Sequence, residues 1–213
     1  MTITNLLVQR CASCDAPGPV LCRVCRFSLA STAATSVHGV PAAMPFDGVA
    51  RRVLLALKYR NRRAAARSLA VLVVARLRLR AGAARGVDVV TWAPTGPERV
   101  RARGYDQAEL LAREVARELG VPCRRLLHRA HGEPQTGRDR IARLVGPRYR
   151  ARPGRGDQRV LVVDDVVTTG ATLRAAAAAL AAAGWAQVLV AAVAATPDAP
   201  ATHPAVAPLA LAG

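Results

Sequence analysis

The apolar positions of this chain change period along its length, and the changes mark out its elements. Val160-Leu-Val-Val163 is an unbroken apolar run, mostly β-branched, and predicts a strand over 159–165 that is buried on both faces. An alanine-rich helix over 171–183, ending near Gly184, and a strand over 187–195 follow it. Upstream, Gly86 to Ala93 reads as a strand, Gln107 to Leu119 as an amphipathic helix stopped by Gly120, and Pro122 to His128 as a short strand. Between Val49 and Leu79, the residues Val53, Leu54, Leu57, Leu69, Leu72 and Val73 recur on helical faces with arginines between them. Phe27 to Pro45, small and polar, reads as a linker, His131 to Arg155 as a long Gly- and Arg-rich loop, and the Pro- and Ala-rich residues 197–213 as a disordered tail. The β-α-β rhythm predicts an α/β fold, a parallel sheet flanked by helices, with ligands at the carboxyl ends of its strands.

One of those ends carries distinctive chemistry. Asp164 and Asp165 stand where the central strand should finish, and two adjacent carboxylates are costly inside a core, so they are expected to face a cleft and meet hydroxyls or a cation. Thr168-Thr-Gly-Ala-Thr172 then opens the alanine-rich helix, supplying backbone N–H groups, hydroxyls and a positive dipole end that suit a phosphate dianion. In order along the chain, the parts suit a phosphorylated sugar.

The front of the chain holds a second constellation. Cys11-Ala-Ser-Cys14 and Cys22-Arg-Val-Cys25 form a C-x2-C-x7-C-x2-C array, in which each pair brings two thiolates to one point, as a tetrahedral zinc site requires. Two disulfides or a redox pair are the alternatives; without a secretion signal or a strand–helix context around either pair, structural Zn2+ is the favoured reading. Cys123 stands alone and reads as a buried apolar residue.

Composition narrows the rest. A length of 213 residues suits one full domain, expected over 45–196, behind a small cysteine module over 1–30. A net charge of +17 attracts polyanions, but 30 of the 31 basic residues are arginine, a bias that a GC-rich genome also produces, and aromatic residues make up only 3%, leaving few platforms for stacking bases. Residues 1–10 lack the basic start and apolar core of a signal peptide, which predicts a cytoplasmic protein. The uncharged stretch from Ala175 to Pro197 is long enough to cross a bilayer, but Gly184 and Gln187 divide it into a core helix and strand, so no membrane insertion is expected.

After the 86–93 strand, Arg99, Arg101 and Arg103 alternate in a loop containing Pro94, Pro97 and Gly104, where they are positioned either to converge on a pyrophosphate or to remain a solvated charged loop. Lys58 is the single lysine of the chain; it reads either as a pyrophosphate or substrate contact that a guanidinium fork would not satisfy, or as an ordinary helix-face residue. His128 and His131 read as structural or solvated, Trp92 and Trp185 as core residues.

Residues 160–172 resemble, at all thirteen positions, the phosphoribosyl pyrophosphate (PRPP) signature of type I phosphoribosyltransferases. Arg101-Ala-Arg103-Gly104-Tyr105-Asp106-Gln107 is similar to the R-x-R-G-[FY]-[ND]-Q segment of the competence protein F (ComF) family, whose members also carry an N-terminal cysteine ribbon. Leu57-Lys58-Tyr59, and Gln135 followed eight residues later by Arg143, extend the resemblance to roughly residues 11–195. Two departures stand out: family members usually carry an asparagine a few residues beyond the position of Arg143, where this chain has Gly146-Pro147, and their valine–proline pair reads Ala93-Pro94 here.

The resemblance implies a type I phosphoribosyltransferase fold behind a zinc ribbon holding Zn2+ on Cys11, Cys14, Cys22 and Cys25. It implies that Asp164 and Asp165 hold the ribose 2′- and 3′-hydroxyls and the waters of Mg2+. It further implies that Val167, Thr168, Thr169, Gly170, Ala171 and Thr172 wrap the 5′-phosphate. Lys58, Arg99, Arg101, Arg103 and Gly104 would then meet the pyrophosphate. In purine-salvage relatives an aspartate three residues beyond the acidic pair assists the base; here that position is Thr168, which makes a 6-oxopurine acceptor less suitable. Three functions are compatible with the resemblance: phosphoribosyl transfer to an unidentified acceptor, PRPP or nucleotide binding without turnover, and an accessory role in DNA uptake that contacts single-stranded DNA and DNA-processing proteins.

Overall fold

The computed structural model describes residues 9–79, 85–130 and 146–196. In chain order its elements are α1 (Arg23–Ser31), β1 (Thr35–Val37), β2 (Val40–Pro45), α2 (Gly48–Tyr59), α3 (Ala65–Leu79), β3 (Val89–Trp92), α4 (Pro97–Arg103), α5 (Gln107–Leu119), β4 (Leu127–Arg129), β5 (Tyr149–Ala151), β6 (Arg159–Val167), α6 (Ala171–Ala182) and β7 (Gln187–Ala195). Five strands form one sheet in the order β1-β2-β7-β6-β3, parallel throughout except for the β1–β2 hairpin.

The sheet is packed on both faces, which is why its central strands read as continuous apolar runs. Leu161 and Val163 of β6 join Val90 and Trp92 of β3 in a core with α2, α3, α5 and the cysteine module; Val160 and Val162 point the other way, onto Leu173, Ala176 and Leu180 of α6. Both tryptophans are buried, as expected of core residues. Helix α5 occupies the predicted span because its signals are complete: the Asp106 carboxylate caps the N–H of Ala108, and Gly120 ends the helix in the left-handed region. Among the described residues no helix is long and apolar enough to cross a membrane.

Three expectations are corrected. Phe27 to Pro45 is not a linker: it contains the end of α1 and a β1–β2 hairpin turning at His38 and Gly39, both at positive φ, and β2 pairs with β7 inside the sheet. The Arg99–Arg103 stretch is helical, not a loop. The helical character expected over 49–79 is present, as two helices, α2 and α3, separated between Tyr59 and Ala65. The described part of the 131–155 loop contains β5, which pairs antiparallel with β4 as a separate ribbon; the strand expected over Pro122–His128 meets the main sheet instead by a bridge from Cys123 to Val90 and by the Leu126 N–H donating to Thr91 Oγ1. His131 and residues 197–213 lie outside the described residues.

Candidate functional site

The acidic pair sits where the sheet opens. Strand β3 ends at Trp92, opposite Val163, whereas β6 runs on to Val167 against β7, so Asp164 and Asp165 project past the end of one neighbour. A crevice at the carboxyl edge follows from that difference in strand length. The Asp165 carboxylate is paired with Lys58 Nζ at 2.5 Å, and both side chains are 17% exposed. The Asp164 carboxylate accepts from the N–H of Asp165 at 2.8 Å. Burial, reinforced by the Asp165 carboxylate, raises the Asp164 carboxyl well above its usual range, although that N–H and Lys58 oppose the rise.

Beyond the pair, Val167 is buried and anchored, its carbonyl accepting from the N–H and hydroxyl of Thr196, while Thr168 and Thr169 are exposed. Gly170, the N-cap of α6 at φ +72°, has no side chain to cap the helix; Thr169 Oγ1 accepts from the Ala171 N–H at 3.4 Å, and the helix N-terminus faces the turn. A Cβ on Gly170 would lie 2.7 Å from Arg174 Nη1 and 3.2 Å from Val40, so the guanidinium of Arg174 lies over this turn. Gly146, at φ +72°, approaches the same turn: a Cβ there would meet the Ala171 carbonyl at 3.1 Å, leaving a side chain little room.

On the Lys58 side lies a cleft of about 490 Å3. Lys58, Tyr59, Asn61 and Arg63 line it from the end of α2 and the connection to α3; Arg99, Ala102, Arg103 and Tyr105 line it from α4 and its exit. Helical spacing brings Arg99 and Arg103 to one face, four residues apart, and carries the exposed Arg101 to another; Gly104 ends the helix in the left-handed region. The wall is interlocked. Arg103 donates to Gln107 Oε1 at 2.6 Å and stacks 5.3 Å over Tyr59, Arg63 stacks 4.2 Å over Tyr105, and the Tyr105 hydroxyl donates to the Leu57 carbonyl. Asp106 ties the loop after β3 to α5 by accepting from the Thr95 N–H at 2.9 Å as well as from Ala108. Burial raises its carboxyl above the usual value, and those same N–H groups oppose the rise.

The β4–β5 ribbon contributes residues that the sequence did not single out. Tyr149 is opposite Arg129 in that pair, its buried hydroxyl has no hydrogen-bond partner among the described residues, and burial, with the Asp164 carboxylate adding to it, pushes its titration upward. The Arg129 guanidinium reaches the loop after β3, about 4.0 Å from where a Cβ on Gly96 would stand. Asn61, Arg63, Tyr105 and Arg174 were likewise not identified from the sequence. Of these, Arg174 had a usable signal, since it lies one helical turn after Gly170. Gln135 and Arg143 lie outside the described residues.

The four front cysteines converge: their sulfurs all lie within 4.8 Å of one another, with Cys14 and Cys22 Sγ 3.7 Å apart, and none is in a disulfide. A tetrahedral zinc with bonds of about 2.3 Å holds thiolates about 3.8 Å apart, so the cluster fits that ion and fills its coordination. Backbone N–H groups of Cys22 and Cys25 point at Cys11 and Cys22 Sγ, each at 3.5 Å. Burial raises the Cys11 thiol but surrounding N–H donors outweigh it and bring it to about 6, whereas burial takes Cys25 to about 12. An ion bound by all four sulfurs would need each of them as a thiolate, and four thiolates this close would in turn need the cation between them.

The family model described as phosphoribosyl transferase domain matches residues 106–206, which include the acidic pair, the turn after it, α5 and Tyr149. Among solved structures, that of the purine phosphoribosyltransferase from Pyrococcus horikoshii Ot3 is 18% identical, with a TM-score of 0.38, over 63% of this chain and 77% of that one, a likeness too loose to bear on function. A search of curated proteins gave no match. With an acidic pair and the Gly170 turn at the carboxyl edge of a mostly parallel sheet, the chain carries a phosphoribosyltransferase domain behind a four-cysteine cluster.

Proposed function

We propose that this chain binds PRPP at the end of β6 and transfers its phosphoribosyl group, in the manner of a ComF-like protein. The observation that carries the reading is the juxtaposition of the Asp164–Asp165 pair with the Gly170 turn on one side and a cleft lined by Lys58, Arg63, Arg99 and Arg103 on the other. Asp164 and Asp165 hold the ribose hydroxyls, and the amides and hydroxyls from Val167 to Thr172 hold the 5′-phosphate, with Arg174 beside them. Arg99, Arg103 and Lys58 take the charge that grows on the departing pyrophosphate; Arg101 faces elsewhere in this conformation and Gly104 allows the chain to turn from α4 toward Tyr105. The bond from C1 to pyrophosphate breaks with its electron pair leaving on the phosphate as the acceptor's lone pair forms the new bond. The carboxylate donors of the pair suit Mg2+ held through its waters, and the ion supplies charge neutralisation of pyrophosphate when bound. Lys58 is paired with Asp165, so a ligand or ion taking up that carboxylate must loosen the ion pair.

Calorimetric titration with PRPP is expected to give binding that depends on Mg2+ and is lost in Asp165→Asn. Equal, magnesium-independent heats in both proteins would remove the reading. Turnover separates transfer from a sensor that binds PRPP without reacting it. The acceptor is open: Thr168 supplies no carboxylate for a purine nitrogen.

A second reading is favoured by one observation, the exposure of Phe27 (73%) on α1 beside exposed Arg23 and Arg26. An aromatic ring between cations suits a base and its phosphates, and so a role in DNA uptake through single-stranded DNA. If this face is used, binding to an oligonucleotide weakens steeply with salt and falls several-fold in Phe27→Ala. An unchanged affinity in that variant would exclude it.

A further inference from the structure

Tyr59 to Arg63, the end of α2 and the chain leading to α3, is shared between two parts of the molecule, and its residues alternate. Tyr59, Asn61 and Arg63 line the cationic cleft, whereas Arg60 and Arg62 turn the other way, onto the cysteine module. Arg60 Nη2 donates to the Ala12 carbonyl at 2.8 Å, and Arg62 Nη2 pairs with Asp15 Oδ1 at 3.4 Å. About two turns earlier in α2, Arg52 Nε donates to Ser13 Oγ at 3.0 Å. Ala12, Ser13 and Asp15 belong to or directly follow the first cysteine pair, whose loop is closed by the Asp15 N–H on the Cys11 carbonyl. Both anchoring arginines therefore hold groups whose positions are set by how Cys11 and Cys14 are held. On the opposite side, Arg63 lies over Tyr105 and Arg103 over Tyr59, so displacement of the connection would move cleft cations from both walls.

We infer that Arg60 and Arg62 are positioning residues through which metal occupancy of the cysteine module sets the cationic wall of the cleft, and with it the affinity for a pyrophosphate group. The inference rests on the proposed use of that cleft for pyrophosphate. An ion on the four sulfurs rigidifies the Cys11–Cys14 loop, and with it the two acceptors that fix Arg60 and Arg62. The backbone of the connection is held to α2 by the Arg60 and Arg62 N–H groups on the Ala56 carbonyl, so loss of that rigidity acts by releasing the side-chain anchors of Arg60 and Arg62, and with them the wall they position.

The test titrates inorganic pyrophosphate with Mg2+ into the metal-loaded full chain, into Arg60→Ala/Arg62→Ala, and into both after chelation, with metal content measured throughout. Expected is a loss of about tenfold in affinity in the variant despite retained metal, an equal loss in the chelated parent, and no further loss on chelating the variant. Asp15→Asn, which changes neither a cysteine nor the connection, should weaken binding in the same direction, and Arg60→Lys should restore part of it. Parent-like affinity in the variant, or losses that multiply on chelation, would overturn the inference. Amide exchange at residues 59–63 gives a readout independent of ligand: faster exchange on chelation of the parent but not of the variant is expected, and unchanged exchange overturns the coupling. If the parent binds no pyrophosphate, the reading of the cleft fails while exchange still decides whether module and connection are coupled.

Discussion

Asp164→Asn is expected to make the protein more stable and unable to hold PRPP. Burial and the neighbouring Asp165 carboxylate raise the Asp164 carboxyl above its ordinary value of 3.8, so in the native state it keeps a proton that the unfolded chain releases. The native state then binds more protons than the unfolded one, and stability must fall as pH rises from about 4 through the raised value. Asparagine is neutral at every pH and still offers an Oδ1 to the Asp165 N–H, so the variant should lack that decline. At pH 7 we expect it to melt a few degrees higher, at roughly 2–4 °C per kcal/mol for a chain of this size. Affinity for PRPP should fall about 100-fold, because bound Mg2+ and ligand would favour the ionised carboxyl, and asparagine cannot supply the carboxylate that then accepts from a ribose hydroxyl. Thermal melts across pH 4–8 and calorimetry on the same samples check both halves. A variant that melts lower at pH 7 would mean that Asp164 is ionised and held by its surroundings.

Removing the metal, or replacing Cys11 with serine, is expected to lower the melting temperature of the whole chain. Cys11 and Cys25 are buried, and with Ala12, Leu21 and Leu29 they belong to the same core as α2, α3 and the inner face of the sheet. Loss of an ion that holds four thiolates releases several kcal/mol of folding free energy, which for this length amounts to a drop on the order of 10 °C. Because the core is shared, one transition should shift downward. A separate early transition with the main one unmoved would show that the module melts alone, and a serine variant with an unchanged melt would show that no ion is held there.

Legibility in the sequence followed the strength of the local signals. Helix α5 and strand β7 lie where the pattern put them, because Asp106 and Gly120 cap one and a long apolar run makes the other. Strand β2 was hidden by its composition: Pro41 and Pro45 within a run of alanines argue against a strand, and only pairing with β7 on one side and β1 on the other compensates. Helix α4 was hidden because its alternate arginines stand among Pro94, Pro97 and Gly104, a composition that suggests a charged loop. Pro97 at its first position, Glu98 in its first turn and Gly104 just past its end were the better signal. The acidic pair and the turn after it were legible because they are contiguous. The cationic wall was only half legible, since Asn61, Arg63, Arg103 and Tyr105 meet across more than forty positions of chain. Tyr149 was not legible at all, because its place depends on a pairing with Arg129 that no local pattern announces.

The placement of β2 has a consequence for how the chain is made. Ala42 pairs with Ala192, so β2 leaves the ribosome about 150 residues before the strand that pairs with it. The cysteine module can take up metal and α2 can pack on it early, but the edge of β2 that will meet β7 stays unpaired until those later residues have been made. Its two prolines and its lack of β-branched residues beyond Val40 make that waiting edge a poor template for other chains. The same residues that make β2 hard to recognise as a strand protect it during the interval in which it is not yet one.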